Sequence, residues 1–281
     1  MQQTPDNSRL IKFWLVVAAT LVGAILRLYN LAHLPISSGF DPADYGLDAL
    51  AILDGDLPIY LATNFGREVL FSYLVAGIYA AIGLSDFGIH LASAFVGILT
   101  IPMNYVVAGE LLRSSGRPLK YSGHPLKYSG HHLVRHWGPV LAAFVLAVSY
   151  WHIVWSRFGV RAILAPLFVS LTMFLLLRAL RSGREKDLFL AGLAAGASLY
   201  TYQIGQLLPF LVLAVLFIDY WSRRKEQRPS TYLRSLIWLL IPFLVVALPL
   251  ATYAWQNPRA FNQRVRDVAV VEAAQPLAGQ L

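Results

Sequence analysis

The chain alternates long apolar stretches with short polar ones. A membrane-spanning helix needs about 20 mostly apolar residues, and seven stretches approach or reach that length. They are 11–30, 89–112, 137–156, 162–180, 188–204, 206–221 and 235–255. Only helices and closed barrels satisfy the backbone inside a bilayer. The pattern therefore predicts an all-α fold, a polytopic membrane helix bundle of about seven transmembrane helices.

The segment between the first two of these stretches has a different character. Residues 39–68 are rich in Asp, and polar and apolar residues recur there at the i, i+3 and i+4 spacing of a short amphipathic surface helix. The apolar stretch 68–83 that follows is too short to span easily. We expect it to lie at the membrane surface, so that 31–88 forms an acidic loop with juxtamembrane helices.

Charge placement predicts the orientation. With 68–83 at the surface, most of the 23 Lys and Arg residues fall on the side of the N-terminus, in the N-terminal segment, 113–136, 178–187 and 222–234. Most of the 15 Asp and Glu residues fall on the other side. Cytoplasmic loops carry the excess of Lys and Arg. We expect a multi-pass protein of the inner or plasma membrane with a cytoplasmic N-terminus and an extracytoplasmic acidic loop.

This topology divides the chain into two parts. Residues 1–255 form the transmembrane domain, with 113–136 as a basic cytoplasmic loop, and 256–281 begin an extracytoplasmic segment. That last segment is polar and stops abruptly, which suggests a longer protein.

Gly192 and Gly196 are spaced i, i+4, and this pattern of small residues predicts close packing of one helix against a neighbour.

Composition excludes several functional classes. The chain is 57% hydrophobic and 14% charged, with a mean hydropathy of +0.56, whereas soluble domains have about 25% charged residues. It contains no cysteine, so disulfides, thiol nucleophiles and cysteine metal sites are excluded. The net charge of +8 is explained by basic loops beside anionic membrane lipids, and no nucleic-acid partner is expected.

Four histidines lie in the basic loop and are candidate metal ligands. His124 and His131 end the two copies of a tandem repeat, PLKYSGH, and His132 and His136 follow it. His132 and His136 share the spacing of a helical zinc pair. No carboxylate accompanies them, and two are copies of one residue. We therefore predict no metal site here, and a divalent cation elsewhere in the protein stays open.

The acidic loop offers a general base. Asp41 follows Gly39 and precedes Pro42, so its carboxylate sits on a stiff turn where it can take a proton from an acceptor hydroxyl or amine. Asp44, Asp54 and Asp56 are typical of a solvated acidic loop. Asp48 fits either description.

Three arginines accompany this loop. Arg67 begins the short apolar stretch, and Arg157 and Arg161 flank Gly159 at a helix–loop junction. The planar guanidinium suits a phosphate group, whose charge develops when a phosphate-linked sugar leaves. The same arginines could reach lipid headgroups at the interface, and the sequence leaves both interpretations open.

The order of these motifs resembles one family. The chain reads RLY at 27–29, then the aspartate loop, GLDAL at 46–50, NFGREVL at 64–70, and SYWH with SRFGVR at 149–161. It is similar to the family-39-like glycosyltransferases of the membrane GT-C class, which include protein O-mannosyltransferases and aminoarabinose transferases of lipid A. The resemblance covers about residues 20–270.

The resemblance implies a mechanism. A polyprenyl-phosphate-linked sugar is the donor, and an extracytoplasmic lipid, glycan or protein is the acceptor. Asp41 then matches the catalytic aspartate, and Arg67, Arg157 and Arg161 match the ligands of the donor phosphate. Asp44, Asp48 and Glu68 are supporting candidates.

Two positions depart from the family pattern. Pro42 replaces the acidic residue that usually follows the loop aspartate, which argues against a mechanism with two carboxylates or a metal. Val69 replaces a proline.

Two rival functions are a transporter or flippase of a lipid-linked sugar, and a non-catalytic truncated relative. Asp41 on its turn and the lack of internal repeats favour the enzyme.

Overall fold

The computed structural model describes residues 7–34, 39–114, 120–121, 124–125, 131–223 and 229–263. Most of them are helical. The helices are α1 (Asn7–Leu28), α2 (Phe40–Leu53), α3 (Leu70–Ile82), α4 (Asp86–Ser114), α5 (His131–Val148), α6 (Tyr150–Arg157), α7 (Leu164–Ser182), α8 (Glu185–Ser198), α9 (Leu208–Arg223), α10 (Pro229–Gln256) and α11 (Pro258–Phe261). Short 3₁₀ turns, Arg161–Ile163 and Gln203–Leu207, precede α7 and α9.

Strands are confined to two small hairpins in the described chain. The antiparallel pairs are β1 (Tyr60–Leu61) with β2 (Arg67–Glu68), and β3 (Lys120–Tyr121) with β4 (His124–Pro125). The all-α class is confirmed.

Within the described residues, five helices are long and apolar enough to cross a membrane: α1, α4, α7, α9 and α10. A sixth span results if α5 and α6, which meet at an angle of 54°, are counted together. Many large apolar side chains on these helices point outward, such as Ile25 at 64% and Val245 at 65% exposure. Such a surface is stable only against lipid or another apolar partner, so the fold is a membrane helix bundle.

Two of the seven expected spans differ from the sequence pattern. The stretch 137–156 is broken at Ser149, where α5 ends and α6 turns away. The stretch 188–204 forms only the 14-residue helix α8 and ends at Ser198. In contrast, 68–83 forms the short helix α3 of 13 residues, as its length predicted.

Helix α4 lies at the centre of the first half of the bundle. It packs against α1, α5 and α7, and also contacts α2, α3 and α6. The acidic segment is held here by an apolar core that includes Tyr45, Phe71, Ile89 and Ile163. Helices α2 and α3 are therefore docked on the end of the bundle. A second core joins α7, α8, α9 and α10.

The predicted close packing at Gly192 and Gly196 is confirmed. Helix α8 lies against α10, and a Cβ added to Gly192 would overlap the carbonyl oxygen of Leu239. A Cβ at Gly196 would come within 2.8 Å of Val246 Cβ. The two helix backbones approach so closely because neither glycine carries a side chain.

This contact supports a stability prediction. Gly192→Ala is expected to destabilise the protein by about 1–3 kcal/mol, since the added methyl group forces α8 and α10 apart. Gly77→Ala in α3 is the matched control, because its Cβ would meet nothing within 4 Å and alanine favours the helix. Thermal unfolding in one detergent measures both variants. Equal melting temperatures would show that the α8–α10 contact tolerates a wider spacing.

Candidate active site

Helix α2 positions the acidic residues. It begins after Gly39, and Pro42 lies in its first turn, where the missing N–H costs no helical hydrogen bond. Asp41 is in that same turn, which favours a negative charge because unpaired N–H groups point toward it. Tyr45, one turn further on, is buried and meets Phe71 of α3 edge-on, with ring centroids 5.1 Å apart. The expected helix is confirmed, and one side of it is packed against the bundle.

Arg67 connects the hairpin to α2. Its Nη1 lies 3.0 Å from Oδ2 of Asp44, and its Nη2 lies 3.1 Å from Oδ2 of Asp48. Nη2 also donates to Oγ1 of Thr63 at 3.1 Å. The Arg67 side chain is only 4% exposed. Two carboxylates and a hydroxyl therefore surround its guanidinium, and only Nη2 donates hydrogen bonds to the described residues, because Nε and Nη1 have no hydrogen-bond partner there.

Glu68 forms the second buried pair. Successive residues of a strand point to opposite faces, so Arg67 and Glu68 of β2 turn to different partners. Oε2 of Glu68 lies 3.2 Å from Nε of Arg161, and both side chains are buried, at 3% and 4% exposure. Removing one partner of such a pair leaves an uncompensated buried charge.

A turn anchored on α4 brings Arg161 to this position. Gly159 has a φ of +74° and lies against Ile89 and His90. His90 Nδ1 donates to the carbonyl oxygen of Arg157 at 2.8 Å, and Ser93 Oγ accepts from Val160 N at 2.9 Å. The left-handed backbone needs glycine, and the two hydrogen bonds fix where the chain enters α7.

Arg161 lies between two aromatic rings. Its guanidinium carbon is 6.0 Å from the ring centroid of Tyr45 and 5.5 Å from that of Tyr202. Such contacts hold a cation over the face of a ring. Among the described residues the Arg161 guanidinium makes no hydrogen bond, and its polar contact is the ion pair with Glu68. Its Nη donors are therefore available for a ligand.

Charged side chains of both signs lie near Tyr45. Burial raises the pKa of Tyr45, and Arg161 opposes that shift, while Asp41 adds to it. Arg67 also lies over this ring, 5.5 Å from its centroid. Tyr45 is thus the common neighbour of Asp41 and both arginines.

Asp48 and Asp41 differ in how freely their carboxylates can meet an acceptor. Burial raises the pKa of Asp48, although Arg67 opposes the shift, and its Oδ2 accepts from Ser72 Oγ at 3.3 Å. Asp41 is exposed, and its side chain has no hydrogen bond or ion pair with the described residues. Of these two carboxylates, Asp41 is the one free to meet an incoming acceptor.

Arg157 has different surroundings. Its Nη1 donates to the carbonyl oxygens of Arg27 at 2.9 Å and Tyr29 at 2.8 Å, and its Nη2 donates to that of Leu34 at 3.1 Å. The last carbonyls of a helix lack partners within it. Arg157 therefore caps the end of α1, and it does not join the group around Tyr45.

Arg27 of α1 binds a helix end in the same way, that of α5. It is fully buried, and its Nη1 donates to the carbonyl oxygen of Ala147 at 2.9 Å, while Nη2 donates to that of Leu146 at 3.2 Å. Those carbonyls belong to the last turn of α5. Nη2 also donates to His152 Nδ1 at 2.8 Å. Arg157 of α6 thus binds the end of α1, and Arg27 of α1 binds the end of α5.

These contacts predict a structural role for Arg157. Arg157→Gln is expected to lower the free energy of unfolding by about 2 kcal/mol, because charge-assisted hydrogen bonds to carbonyls are lost. Affinity for the donor should change by no more than about twofold, which is far less than the tenfold change that about 1.4 kcal/mol would cause. Thermal unfolding and donor binding are measured on the same preparation. A tenfold loss of donor affinity at unchanged stability would restore Arg157 as a phosphate ligand.

Within the described residues, no three His, Asp or Glu side chains come together as metal ligands. The carboxylates of Asp44, Asp48 and Glu68 face arginines. The side chains of His124, His131 and His132 lie outside the part of the chain that the structure describes. His136 Nδ1 accepts from Lys12 Nζ at 3.0 Å.

Sequence reasoning missed two aromatic residues of this site. Tyr45 and Tyr202 face Arg161, and aromatic residues such as Tyr202 near the end of an apolar stretch are common at membrane interfaces without any role in a site. The one signal for Tyr45 was its position four residues after Asp41, on the same helix face.

One family model matches the chain. Residues 130–248 match the model of the dolichyl-phosphate-mannose-protein mannosyltransferases, a stretch shorter than half of the chain. It includes Arg157 and Arg161 and lies C-terminal to the acidic segment. No curated protein matches the chain. The family match confirms the resemblance to the GT-C class and supports a membrane glycosyltransferase of the mannosyltransferase type.

Proposed function

We propose that this membrane glycosyltransferase moves a sugar from a polyprenyl-phosphate donor to an extracytoplasmic lipid, glycan or protein, as family-39-like enzymes do. The name of the matching family contains both a lipid-phosphate sugar and a protein acceptor. The observation that carries the proposal is Arg161, a buried cation whose guanidinium makes an ion pair with Glu68 and no hydrogen bond to the described residues.

Arg161 would hold the donor phosphate. Glu68 and the rings of Tyr45 and Tyr202 fix its guanidinium before any ligand arrives. A pre-positioned arginine needs no reorganisation when negative charge develops on the leaving phosphate, and this makes it effective in the transition state. Its fork of donors matches two phosphate oxygens.

Asp41 would act as the general base. The acceptor hydroxyl attacks the anomeric carbon, its proton passes to the Asp41 carboxylate, and the bond from that carbon to the phosphate oxygen breaks. The bonding electrons leave with the polyprenyl phosphate, whose added charge Arg161 stabilises. Asp41 and Arg161 both act on the hydroxyl of Tyr45, which supports a shared site.

Arg67 would organise the site. Because its guanidinium is occupied by Asp44 and Asp48, we assign it to fixing α2 against the hairpin, and the donor phosphate to Arg161. The positive-inside rule supports an extracytoplasmic position for this end of the bundle.

A direct assay tests the proposal. The purified protein is reconstituted in liposomes with polyprenyl-phosphate-mannose and a membrane extract as acceptor, and released polyprenyl phosphate is measured by mass spectrometry. We expect release that depends on the acceptor. Donor binding without any release, with mannose and with other sugars, would favour a transporter or a non-catalytic relative instead.

A further inference from the structure

A basic cavity lies at the end of the bundle opposite Tyr45. It has a volume of about 130 Å³ and is lined by residues of α1, α4, α5 and α7, including Lys12, Arg113, Arg135 and His136. Lys12 and Arg27 lie on one helix, 15 positions apart, so roughly 22 Å separates this cavity from the α1 end near Arg157. The cavity is therefore distinct from the proposed active site.

The charge of this cavity is positive. Three cationic side chains line it, and no carboxylate belongs to the described residues that form its wall. Glu110, the nearest acid in sequence, pairs with Arg181 of α7 and lies 3.6 Å from Arg113. Lys12 and Arg135 thus lack an acidic partner within the part of the chain that the structure describes.

One of the cations, Lys12, is held in place by the wall. Lys12 donates to His136 Nδ1 at 3.0 Å and lies over the ring of Trp137, 5.8 Å from its centroid. The ring nitrogen of His136 and the face of Trp137 together orient the Lys12 ammonium. The cavity is preformed for an anion.

The remaining wall is apolar. Tyr105, Val106 and Phe174 line the cavity beside the cations, and the helices around it expose apolar side chains to the bilayer. A single water needs about 10–15 Å³ of such space, so the cavity accepts a much larger group. A charged headgroup attached to hydrocarbon chains fits both parts of this wall.

We propose that this cavity binds the phosphate headgroup of an anionic membrane phospholipid. Lys12 and Arg135 contact the phosphate, Arg113 adds charge at the rim, and the acyl chains follow the apolar wall outward. Free phosphate would use only the cations and gain nothing from the apolar wall. The site lies on the side that carries most of the Lys and Arg residues, where anionic lipids attract basic groups.

Lipid titration tests this site on the full chain. The protein in phosphatidylcholine–detergent micelles is titrated with phosphatidylglycerol, and bound lipid is counted by native mass spectrometry. We expect one retained phosphatidylglycerol and a raised melting temperature. Lys12→Gln and Arg135→Gln should each weaken binding about fivefold, and the double variant about 25-fold. Lys12→Arg, which keeps the charge, should bind nearly as well as the wild type.

Two controls separate the sources of the phosphate. Arg184→Gln removes an exposed charge on the same side, in the turn between α7 and α8, and should leave binding unchanged. Inorganic phosphate should protect the protein at least tenfold less well than the lipid. Equal protection by inorganic phosphate, or equal loss in Arg184→Gln and the cavity variants, would overturn the proposal.

Discussion

Replacing Asp41 with Asn is expected to lower the rate of sugar transfer by about 10²–10⁴-fold. Asparagine keeps the size of the side chain and cannot take the proton of the acceptor. Because Asp41 is exposed and has no side-chain partner among the described residues, the fold should tolerate the change. The lost charge at the start of α2 costs at most about 1 kcal/mol.

The measurement is single-turnover transfer from polyprenyl-phosphate-mannose, together with donor affinity and melting temperature. Donor affinity should change by no more than about twofold, since Asp41 is not assigned to the phosphate. A tenfold change in affinity would correspond to about 1.4 kcal/mol. Asp54→Asn is the matched control, because Asp54 is an exposed acid at the other end of α2. Unchanged transfer in Asp41→Asn would remove Asp41 from the mechanism.

The choice of Asp41 over its neighbours rests on pairing. Asp44 and Asp48 lie at 3.0 Å and 3.1 Å from the Arg67 guanidinium, so both carboxylates are already engaged in ion pairs when an acceptor arrives. The sequence already separated Asp41 by its position between Gly39 and Pro42. What only the structure adds is that the other two acids have a partner.

Sequence patterns predicted where the helices lie along the chain, but they predicted few of the contacts between the helices. Apolar length and i, i+4 spacing report on local burial, and they located α1, α4, α10 and the surface helix α2. The break at Ser149 left no such signal, because the apolar character of 137–156 continues through it. It is stabilised by Arg27 of α1, a residue more than 100 positions away.

The arginines illustrate the same limit. The distribution of charge along the chain predicted that Arg67, Arg157 and Arg161 lie at one end of the bundle, and all three suit a phosphate. Only the packing of α4 against the Gly159 turn decides that Arg161 enters the group around Tyr45 while Arg157 caps α1. Residue type indicates the available chemistry, and tertiary contacts decide which residue is free to perform it.

Arg161→Gln is expected to have two separable effects. The change leaves Glu68 buried without its cation, which should destabilise the protein by about 3–5 kcal/mol. It also removes the donors assigned to the phosphate, so transfer should fall at least 10²-fold, as when one charge-stabilising donor is lost. A loss of activity in this variant alone would therefore not distinguish folding from function.

The double variant Arg161→Gln with Glu68→Gln separates them. Two neutral amides can hydrogen-bond where the ion pair stood, so stability should return to within about 1 kcal/mol of the wild type. Transfer should stay low, because no cation faces the phosphate. Arg234→Gln, which breaks the far more exposed pair with Glu185, should change neither quantity much. If the double variant recovers both stability and transfer, Arg161 serves the fold alone, and the donor phosphate must be held by another residue.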